Sequence, residues 1–333
     1  MIAAPSVTDD QALAIRVDAA DLVATAGADV TLGALQAALE PHGVWLALDP
    51  PVPDEQTLGD ALASGAPGPL AALYGPPRDQ VLGAAFEAGN GTAVRTGARV
   101  VKNVAGFDLA KLLVGGCGAF GRLREVHLRL RARPQADRTT AWAGTREALA
   151  AATSRLMTGG AMLAACEVVS PGVVRSSGGT PSWLLLARAM GTGAGVAEEL
   201  GAAAALMRDG RDVAVPDAWG DWRGAARSWS TVARIGADPA AWSDAVTLAE
   251  QAGATAFSIT VPRGTVRAAF ATGAAGPVSR LREGAARRGW PVTLERADDA
   301  TLAAVGAWGL LNDGAARLVE RLRAAFGNGS RPA

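Results

Sequence analysis

Two glycine-containing segments carry the residues best suited to holding a ligand. The first is Thr57-Leu58-Gly59, followed closely by Ser64-Gly65, and the second runs from Gly115 to Gly121. Glycine lets the backbone approach a phosphate group or a heteroaromatic ring and present its N–H groups as donors. Glycines also fill turns, and this chain has 41 of them. Because neither segment matches the dinucleotide fingerprint or the P-loop, both interpretations stay open.

The second segment closes an unusual stretch, "VVKNVAGFDLAKLLVGGCGAFG", from Val100 to Gly121. It contains Lys102 and Lys111, the only lysines of the chain, and Asn103, one of its four asparagines. Lys102 could stabilise an anionic ring or a carboxylate, or it could form a structural ion pair. The spacing predicts a short helix over Phe107 to Val114 that leads into the glycine loop.

Other side chains could also take part in chemistry, but each has a structural interpretation of equal or greater weight. Arg78 and Asp79 could be a site pair or a surface salt bridge. His42 ends a predicted helix, and His127 lies on the outward face of a predicted strand. Tyr74 and Cys117 fit packing positions better than catalytic ones. The residues form no metal-ligand cluster and no Ser-His-Asp arrangement.

The composition is that of a globular protein and excludes several function classes. The 333 residues carry 32 basic and 32 acidic side chains, so net charge gives no case for nucleic acid or an anionic membrane. No apolar run approaches the roughly 20 residues that span a bilayer. The early acidic residues do not fit a secretory signal. Two cysteines form neither a disulfide framework nor an iron–sulfur motif, so a cytoplasmic protein is expected.

The first part of the chain shows clear local patterns. Leu22 to Ala26 and Val44 to Leu48 predict short strands, and Thr31 is a suitable N-cap for a helix between them. Further short elements are predicted by the same criteria: a helix over Thr57 to Ala63, a strand over Val81 to Phe86 with a hairpin turn at Gly89 to Gly91, and an alternating strand over Glu125 to Ala132.

The second part has weaker signals, but strand-like and helix-like segments alternate along it. "SWLLLARA" and "AFSITVP" resemble strands, whereas "GVAEELGAAAALMRDG" and "DAVTLAEQAGA" resemble helices. A last helix over Asp313 to Phe326 places Leu318, Leu322 and Phe326 at helical spacing. The pattern predicts an α+β fold with a boundary near Pro134, which divides the chain into domains 1–134 and 135–333.

The order of these segments resembles the FAD-binding fold of the vanillyl-alcohol oxidase or PCMH type. Within it, the FAD-binding subunits of glycolate oxidase are the most similar. The resemblance rests on "TLGD", on "PPRDQVLG" and above all on "KNVAGFDLAKLLVGGCGAFGRLREVHLRLRARP", and it covers residues 17–134. It implies a PCMH-type FAD-binding domain, incomplete at its N-terminus, followed by a cap-like α+β domain whose C-terminal helix returns to the first domain.

The resemblance also implies a function and a set of site residues. It implies noncovalent FAD and the oxidation of a small 2-hydroxy acid such as glycolate, with a second flavin subunit and an iron–sulfur subunit as partners. It places no metal and identifies no catalytic residue. The implied cofactor-binding residues are Pro50, Thr57, Leu58, Gly59, Ser64, Gly65, Arg78, Asp79, Lys102, Asn103, Gly115, Gly118, Gly121 and Leu123.

Four departures from the family pattern favour weakened or altered FAD binding. The segment before Val17 lacks the glycine loop that holds the pyrophosphate, and Asp60 replaces a glycine, which places a carboxylate near an anionic cofactor. The segment "PGPLA" lacks the family's arginines, and the tail is reduced to "GNGSRPA". Two alternatives follow: a structural subunit that no longer binds FAD, or a true start upstream of Met1.

Overall fold

Two antiparallel sheets organise the chain, and the first is built from residues 16–129. The computed structural model describes residues 15–51, 54–97, 109–175, 182–208, 210–309 and 313–326. Within these, the first sheet has the strand order β1-β2-β6-β4-β5, and a two-stranded β3-β7 pair lies beside it. The strands are β1 (Arg16–Asp18), β2 (Val23–Gly27), β3 (Val44–Trp45), β4 (Val81–Glu87), β5 (Ala93–Gly97), β6 (Arg122–Arg129) and β7 (Arg131–Ala132).

Short helices cover this sheet and close its core. They are α1 (Leu32–Leu39), α2 (Leu58–Ser64), α3 (Ala71–Tyr74), α4 (Pro77–Gln80) and α5 (Ala110–Leu113). The inward side chains of α1 and α2, among them Leu35 and Leu58, are fully buried against Val126 and Leu128 of β6. Burying such side chains stabilises the fold by about 1.5–3 kcal/mol each, which fixes both helices on the sheet.

The second sheet begins after Pro134 and has eight strands among the described residues. Its order is β11-β8-β10-β9-β13-β14-β12-β15, and every pairing is antiparallel. The strands are β8 (Ala136–Gly144), β9 (Ala165–Val169), β10 (Trp183–Gly191), β11 (Arg211–Val213), β12 (Thr231–Gly236), β13 (Ala256–Thr260), β14 (Thr265–Phe270) and β15 (Val292–Arg296).

The helices of the second part pack on its sheet and share the core with the strands. They are α6 (Arg146–Thr158), α7 (Gly193–Leu206), α8 (Ala218–Ser228), α9 (Trp242–Ala252), α10 (Ala275–Ala286) and α11 (Asp299–Val305). Trp242 of α9 is 1% exposed, and its indole N–H donates to Thr153 of α6 over 3.1 Å. The passage from one sheet to the other coincides with the boundary predicted near Pro134. The division into two domains stays a prediction.

The local predictions for the first part hold in most places. Thr31 caps α1, because its hydroxyl accepts from the N–H of Ala34 over 3.1 Å. The predicted hairpin forms between β4 and β5, with Gly91 at φ +80° in the turn. The strand predicted from Leu22 starts one residue later, because Leu22 has φ +54° and belongs to the preceding turn.

The alternating segment after the glycine loop is interrupted, contrary to the continuous strand predicted from Glu125 to Ala132. β6 already begins at Arg122 and ends at Arg129, and β7 pairs separately with β3. Of the four positions that the alternation predicts to face inward, Val126, Leu128 and Leu130 are buried, whereas Ala132 in β7 is exposed. On the other face His127 shares a 3.0 Å hydrogen bond with the Thr25 hydroxyl, a structural contact between β6 and β2.

The last helix, α12 (Asp313–Phe326), packs against the first sheet. Its Phe326 ring lies 6.2 Å from that of Phe86 and 6.5 Å from that of Phe120. The Phe326 carbonyl also accepts from the Asn90 N–H over 3.1 Å. Leu318 does not share in this packing, since 56% of it is exposed. No helix among the described residues is both long enough and apolar enough to cross a bilayer.

Candidate functional site

The two glycine segments singled out in the sequence lie against each other. The N–H of Gly115 donates to the Leu62 carbonyl, and that of Cys117 donates to the Ala63 carbonyl, each over 2.9 Å. Gly65 has φ +59°, and a Cβ built on it would lie 2.6 Å from the Cα of Gly115. Only glycine fits here, both for its backbone angle and for the space, so the two loops form one wall.

Helix α2 supports this wall, and the residues at its N-terminus have structural roles. Thr57 is the N-cap: its hydroxyl accepts from the Asp60 N–H over 3.2 Å and lies 2.7 Å from the Asp60 carboxylate, to which it donates. Leu58 is fully buried, and the Gly59 N–H donates to Ala28 over 2.8 Å. Asp60 therefore completes a capping interaction. Its expected effect on FAD stays a prediction.

Three further residues predicted to bind the cofactor, Gly118, Gly121 and Leu123, lie where the second loop joins the first sheet. Gly121 has φ +138°, and a Cβ there would meet the Glu87 carbonyl at 2.4 Å. Leu123 is 8% exposed and belongs to the core, while Gly118 has φ +73° in the turn before it. The structure does not bring these three to the cavity described next, so their cofactor contacts stay predictions.

A cavity of about 550 Å³ lies between the glycine wall and the second sheet. From the first part it is lined by Ser64, Gly65, Gly115 and Cys117, together with Arg78 and Asp79 of α4. Facing them across the cavity are Arg234, Arg263, Thr265, Thr293, Glu295 and Trp308. A smaller cavity of about 330 Å³ adjoins it and shares Ser64 and Glu295. The geometry thus brings residues of both predicted glycine loops to one cavity.

Other predicted site residues have different surroundings. Pro50 lines a separate cavity of about 480 Å³, beside Asp49 and Arg188. Arg78 and Asp79 line the main cavity but form no ion pair with each other. Lys102 and Asn103 lie outside the described residues, as does residue 108 of the same motif. Residues 1–14 also lie outside, so the expected lack of a pyrophosphate loop stays a prediction.

Three other side chains were considered in the sequence as candidates for chemistry: Tyr74, His42 and Cys117. Only Cys117 lines the main cavity. Tyr74 packs edge-on against Trp45 with the ring centroids 5.5 Å apart, outside the main cavity. His42 is exposed at the end of a 3₁₀ turn after α1. Cys117, by contrast, is half-buried and lines the cavity, and burial raises the pKa of its thiol.

Excess positive charge characterises the main cavity. Burial holds the pKa of Arg234 below its ordinary value, and the guanidinium groups of Arg267, Arg263 and Arg78 contribute in the same direction. Glu295 acts the other way. Arg78 and Arg263 are exposed at the rim and form no ion pair within the described chain. Such a site favours an anionic ligand.

Glu295 is the central carboxylate of this site. Its two oxygens lie 2.9 Å from Nε of Arg234 and 2.7 Å from Nε of Arg267. Arg267 is completely buried on β14 and donates to the carbonyl of Pro67, two residues beyond the glycine wall. The second sheet is thereby bonded to the loop that carries Ser64 and Gly65.

Two more carboxyl groups lie in the buried region behind Pro67. Glu167 on β9 is fully buried and accepts from the Ser258 hydroxyl, and burial raises its pKa to about 7. Burial likewise raises the pKa of Asp49 to about 7, although two contacts from the Leu70 N–H at 3.2 Å favour its charged form. Arg267 is near enough to lower both pKa values.

Sequence reasoning missed this entire arginine and carboxylate group. The available signal was a charged residue within otherwise apolar strand segments, such as Arg267 in "TVRAAF" and Arg234 in "TVARIG". A buried charge in a strand needs a partner, which makes these positions candidates for a site. No group of three or more His, Cys, Asp or Glu in the described ranges is arranged to hold a metal ion.

The arrangement fits a large anionic cofactor with a flat ring. The close approach of Gly65 and Gly115 leaves backbone and small side chains facing the cavity, while the opposite arginines supply positive charge. The pyrophosphate and the flavin ring of FAD both need such surroundings.

Comparison with known proteins agrees with this geometry. Residues 11–97 match the family described as an FAD binding domain. Glycolate oxidase subunit GlcE of Escherichia coli (strain K12) is 40% identical over 124 residues, which are 37% of this chain and 35% of that protein. Glycolate oxidase subunit GlcD of Bacillus subtilis (strain 168) is 31% identical over 125 residues, 38% of this chain and 27% of that protein.

Two more relatives extend the comparison. The mitochondrial cytochrome D-lactate dehydrogenase of Arabidopsis thaliana is 37% identical over 97 residues, 29% of this chain and 17% of that protein. The chain thus spans about a third or less of these curated relatives. The solved structure of alkyldihydroxyacetonephosphate synthase shares the fold with a TM-score of 0.68 at 15% identity, covering 95% of this chain and 64% of that one. The first part of this chain is therefore an FAD binding domain of the PCMH type, within a mixed α and β fold.

Proposed function

We propose that this chain is an FAD-binding oxidoreductase subunit that acts on a small 2-hydroxy acid. The observation that carries the proposal is the cavity of about 550 Å³ with a glycine wall on one side and an arginine group on the other. The names of the similar proteins, glycolate oxidase subunits and a D-lactate dehydrogenase, support the substrate class.

The FAD would lie against Ser64, Gly65 and Gly115, with Lys102 and Asn103 contributing from outside the described residues. The close contact of Gly65 with Gly115 leaves no side chain at this point of the wall and holds the two loops together. When bound, FAD supplies the acceptor for two electrons. The chain orients the reactants and excludes water with the walls of both sheets.

The arginine group would bind the carboxylate of the substrate. Arg234 is the deepest of the cavity arginines, and its Nη groups form no hydrogen bond within the described chain. Guanidinium groups bind planar carboxylates through two parallel N–H donors. Oxidation removes a hydride from the carbinol carbon and a proton from the hydroxyl group, which leaves the 2-oxo acid.

Partner subunits complete the proposal. Two of the similar proteins are named as subunits of glycolate oxidase. Because the two cysteines cannot bind an iron–sulfur cluster, onward electron transfer would use a second flavin subunit and an iron–sulfur subunit. The cytoplasmic location stays a prediction.

The test is a visible absorption spectrum of the purified chain before and after incubation with excess FAD and removal of free cofactor. We expect a retained flavin band that glycolate or D-lactate bleaches under anaerobic conditions. A band that no 2-hydroxy acid bleaches would refute the catalytic part for the isolated chain and favour the alternative of a structural subunit. Absence of any band would refute FAD binding by this chain alone.

A further inference from the structure

We propose that Glu295 is a positioning residue that orients Arg234 for two-point recognition of a planar carboxylate. The inference rests on the proposed anion site and deepens it. It concerns the selectivity of the cavity for carboxylates over anions of other shapes.

The position of Glu295 follows from an irregularity in the second sheet. In the pairing of β12 with β15, Val232 lies opposite Arg296 and Ala233 lies opposite Leu294. Glu295 is therefore an extra residue between two paired positions, which is a β-bulge. A bulge redirects the side chain at its extra residue. Here it lets a carboxylate from the last strand of the sheet reach two arginines at once.

Without that carboxylate, the two arginines would oppose each other. Arg234 and Arg267 are direct cross-strand partners on β12 and β14. Like charges directly opposite each other repel, and more so where water is excluded. The Glu295 carboxylate lies between them: it accepts a hydrogen bond from Nε of Arg267 over 2.7 Å and forms an ion pair with Arg234, whose Nε lies 2.9 Å away without donating to it. The side chain of Glu295 is only 9% exposed, so water contributes little to this contact.

The ion pair with Glu295 holds the Arg234 guanidinium at the wall of the cavity. Its two Nη groups form no hydrogen bond within the described chain and remain for a ligand, and 30% of the side chain is exposed. The cavity arginines at the rim, Arg78 and Arg263, can add charge but show no comparable fixing contact in the described chain. The geometry therefore assigns shape recognition to Arg234 and attraction at longer range to the other two.

Neutralising Glu295 should have two opposite effects on the affinity for glycolate, one through charge and one through the orientation of Arg234. Glu295→Gln adds one net positive charge, which strengthens the binding of every anion. It also replaces the ion pair between Glu295 and Arg234 with a weaker contact to a neutral amide, so that Arg234 no longer holds one orientation. Loss of orientation weakens only ligands that need two parallel donors, such as glycolate. A spherical ion such as chloride responds to the charge alone.

The experiment measures glycolate affinity by calorimetry and chloride affinity by ³⁵Cl line broadening, in the full chain with and without FAD. We expect Glu295→Gln to lower the ratio of glycolate to chloride affinity about tenfold. Glu283→Gln, an equal change of charge at an exposed position on α10, should leave the ratio unchanged. Arg234→Lys keeps the charge but loses the planar donor pair, and should lower the ratio as Glu295→Gln does.

An unchanged ratio in Glu295→Gln would overturn the inference, as would a wild-type chain that does not prefer glycolate to chloride. If Glu295→Gln does not fold, Glu295→Asp decides the question: it keeps the charge but withdraws the carboxylate from Arg234, so it should lower the ratio, and an unchanged ratio would overturn the inference. The flavin band of the same samples separates this result from the proposed function. Carboxylate preference without retained FAD refutes the cofactor proposal only, and retained FAD with an unchanged ratio refutes only the role of Glu295.

Discussion

The contact between Gly65 and Gly115 allows a quantitative test of the proposed cofactor wall. Replacing Gly65 with Ala introduces two separate costs. At φ +59° an alanine occupies the left-handed region, which costs about 1–2 kcal/mol. The new Cβ would also lie 2.6 Å from the Gly115 Cα and 2.8 Å from its N, so the backbone must shift. Overpacking of this kind costs about 1–3 kcal/mol. We therefore expect a loss of about 2–5 kcal/mol in the free energy of unfolding.

Gly43 offers a matched control in the same chain. It has φ +65°, and a Cβ placed on it would have no heavy atom within 4 Å. Gly43→Ala therefore has the backbone cost of about 1–2 kcal/mol without the clash. Both substitutions change the flexibility of the unfolded chain in the same way. The difference between the two variants thus isolates the contact between the loops.

Urea unfolding, followed by far-ultraviolet circular dichroism, measures both losses. The larger loss should appear in Gly65→Ala, by about 1–3 kcal/mol over Gly43→Ala. Gly65→Ala should also lose the retained flavin band, whereas Gly43→Ala should keep it. Equal losses of stability in the two variants would show that the loops are not in contact, and the proposed wall would then be wrong.

Three further predictions concern stability. The pKa of Asp49 is raised to about 7, so the protonated form stabilises the fold and that contribution is lost as the pH rises from about 4 through 7. At pH 8, the free energy of unfolding of Asp49→Asn should therefore be about 1–4 kcal/mol higher than that of the wild type. Urea titrations should show this difference decreasing as the pH is lowered to 4. Arg267→Met should cost about 3–5 kcal/mol in the same assay, because it removes the guanidinium near Glu167 and one of the two that pair with Glu295; a neutral effect would contradict the network. Thr57→Ala should cost about 1 kcal/mol through loss of the α2 cap, and an unchanged midpoint in urea would show that the cap contributes nothing.

Residues close together in the chain were enough to predict the elements that build the site. The cap at Thr31, the inward positions Val126 and Leu128, and the hairpin turn at Gly91 all follow from local patterns of residue type. Each depends on hydrogen bonds or burial within a few residues, so the physical cause lies inside the pattern itself. The resemblance to PCMH-type proteins likewise identified the FAD binding domain from one continuous stretch.

The irregularities have a different origin. The extra residue Glu295 in β15 and the break between β6 and β7 depend on the partner strand, whose register no local pattern contains. The strand predicted from Leu22 begins one residue later, because Leu22 belongs to the turn between the paired strands β1 and β2. The position of a bulge or a strand break depends on the register with the neighbouring strand, so it can be assigned only once that pairing is known.

Only the folded chain brings Arg267 to the Pro67 carbonyl, across 200 positions of sequence, and sets Arg234 opposite the glycine wall. In the sequence, an arginine in a strand looks like a residue that faces water, because the opposite side of the strand is unknown. Once the two sheets pack together, water is excluded, and the same arginine must find a carboxylate or a carbonyl. Residue types that are close in the sequence thus determine the helices, the strands and the glycine loops. The charge and shape of the cavity come from residues of the two sheets, which meet only in the folded chain.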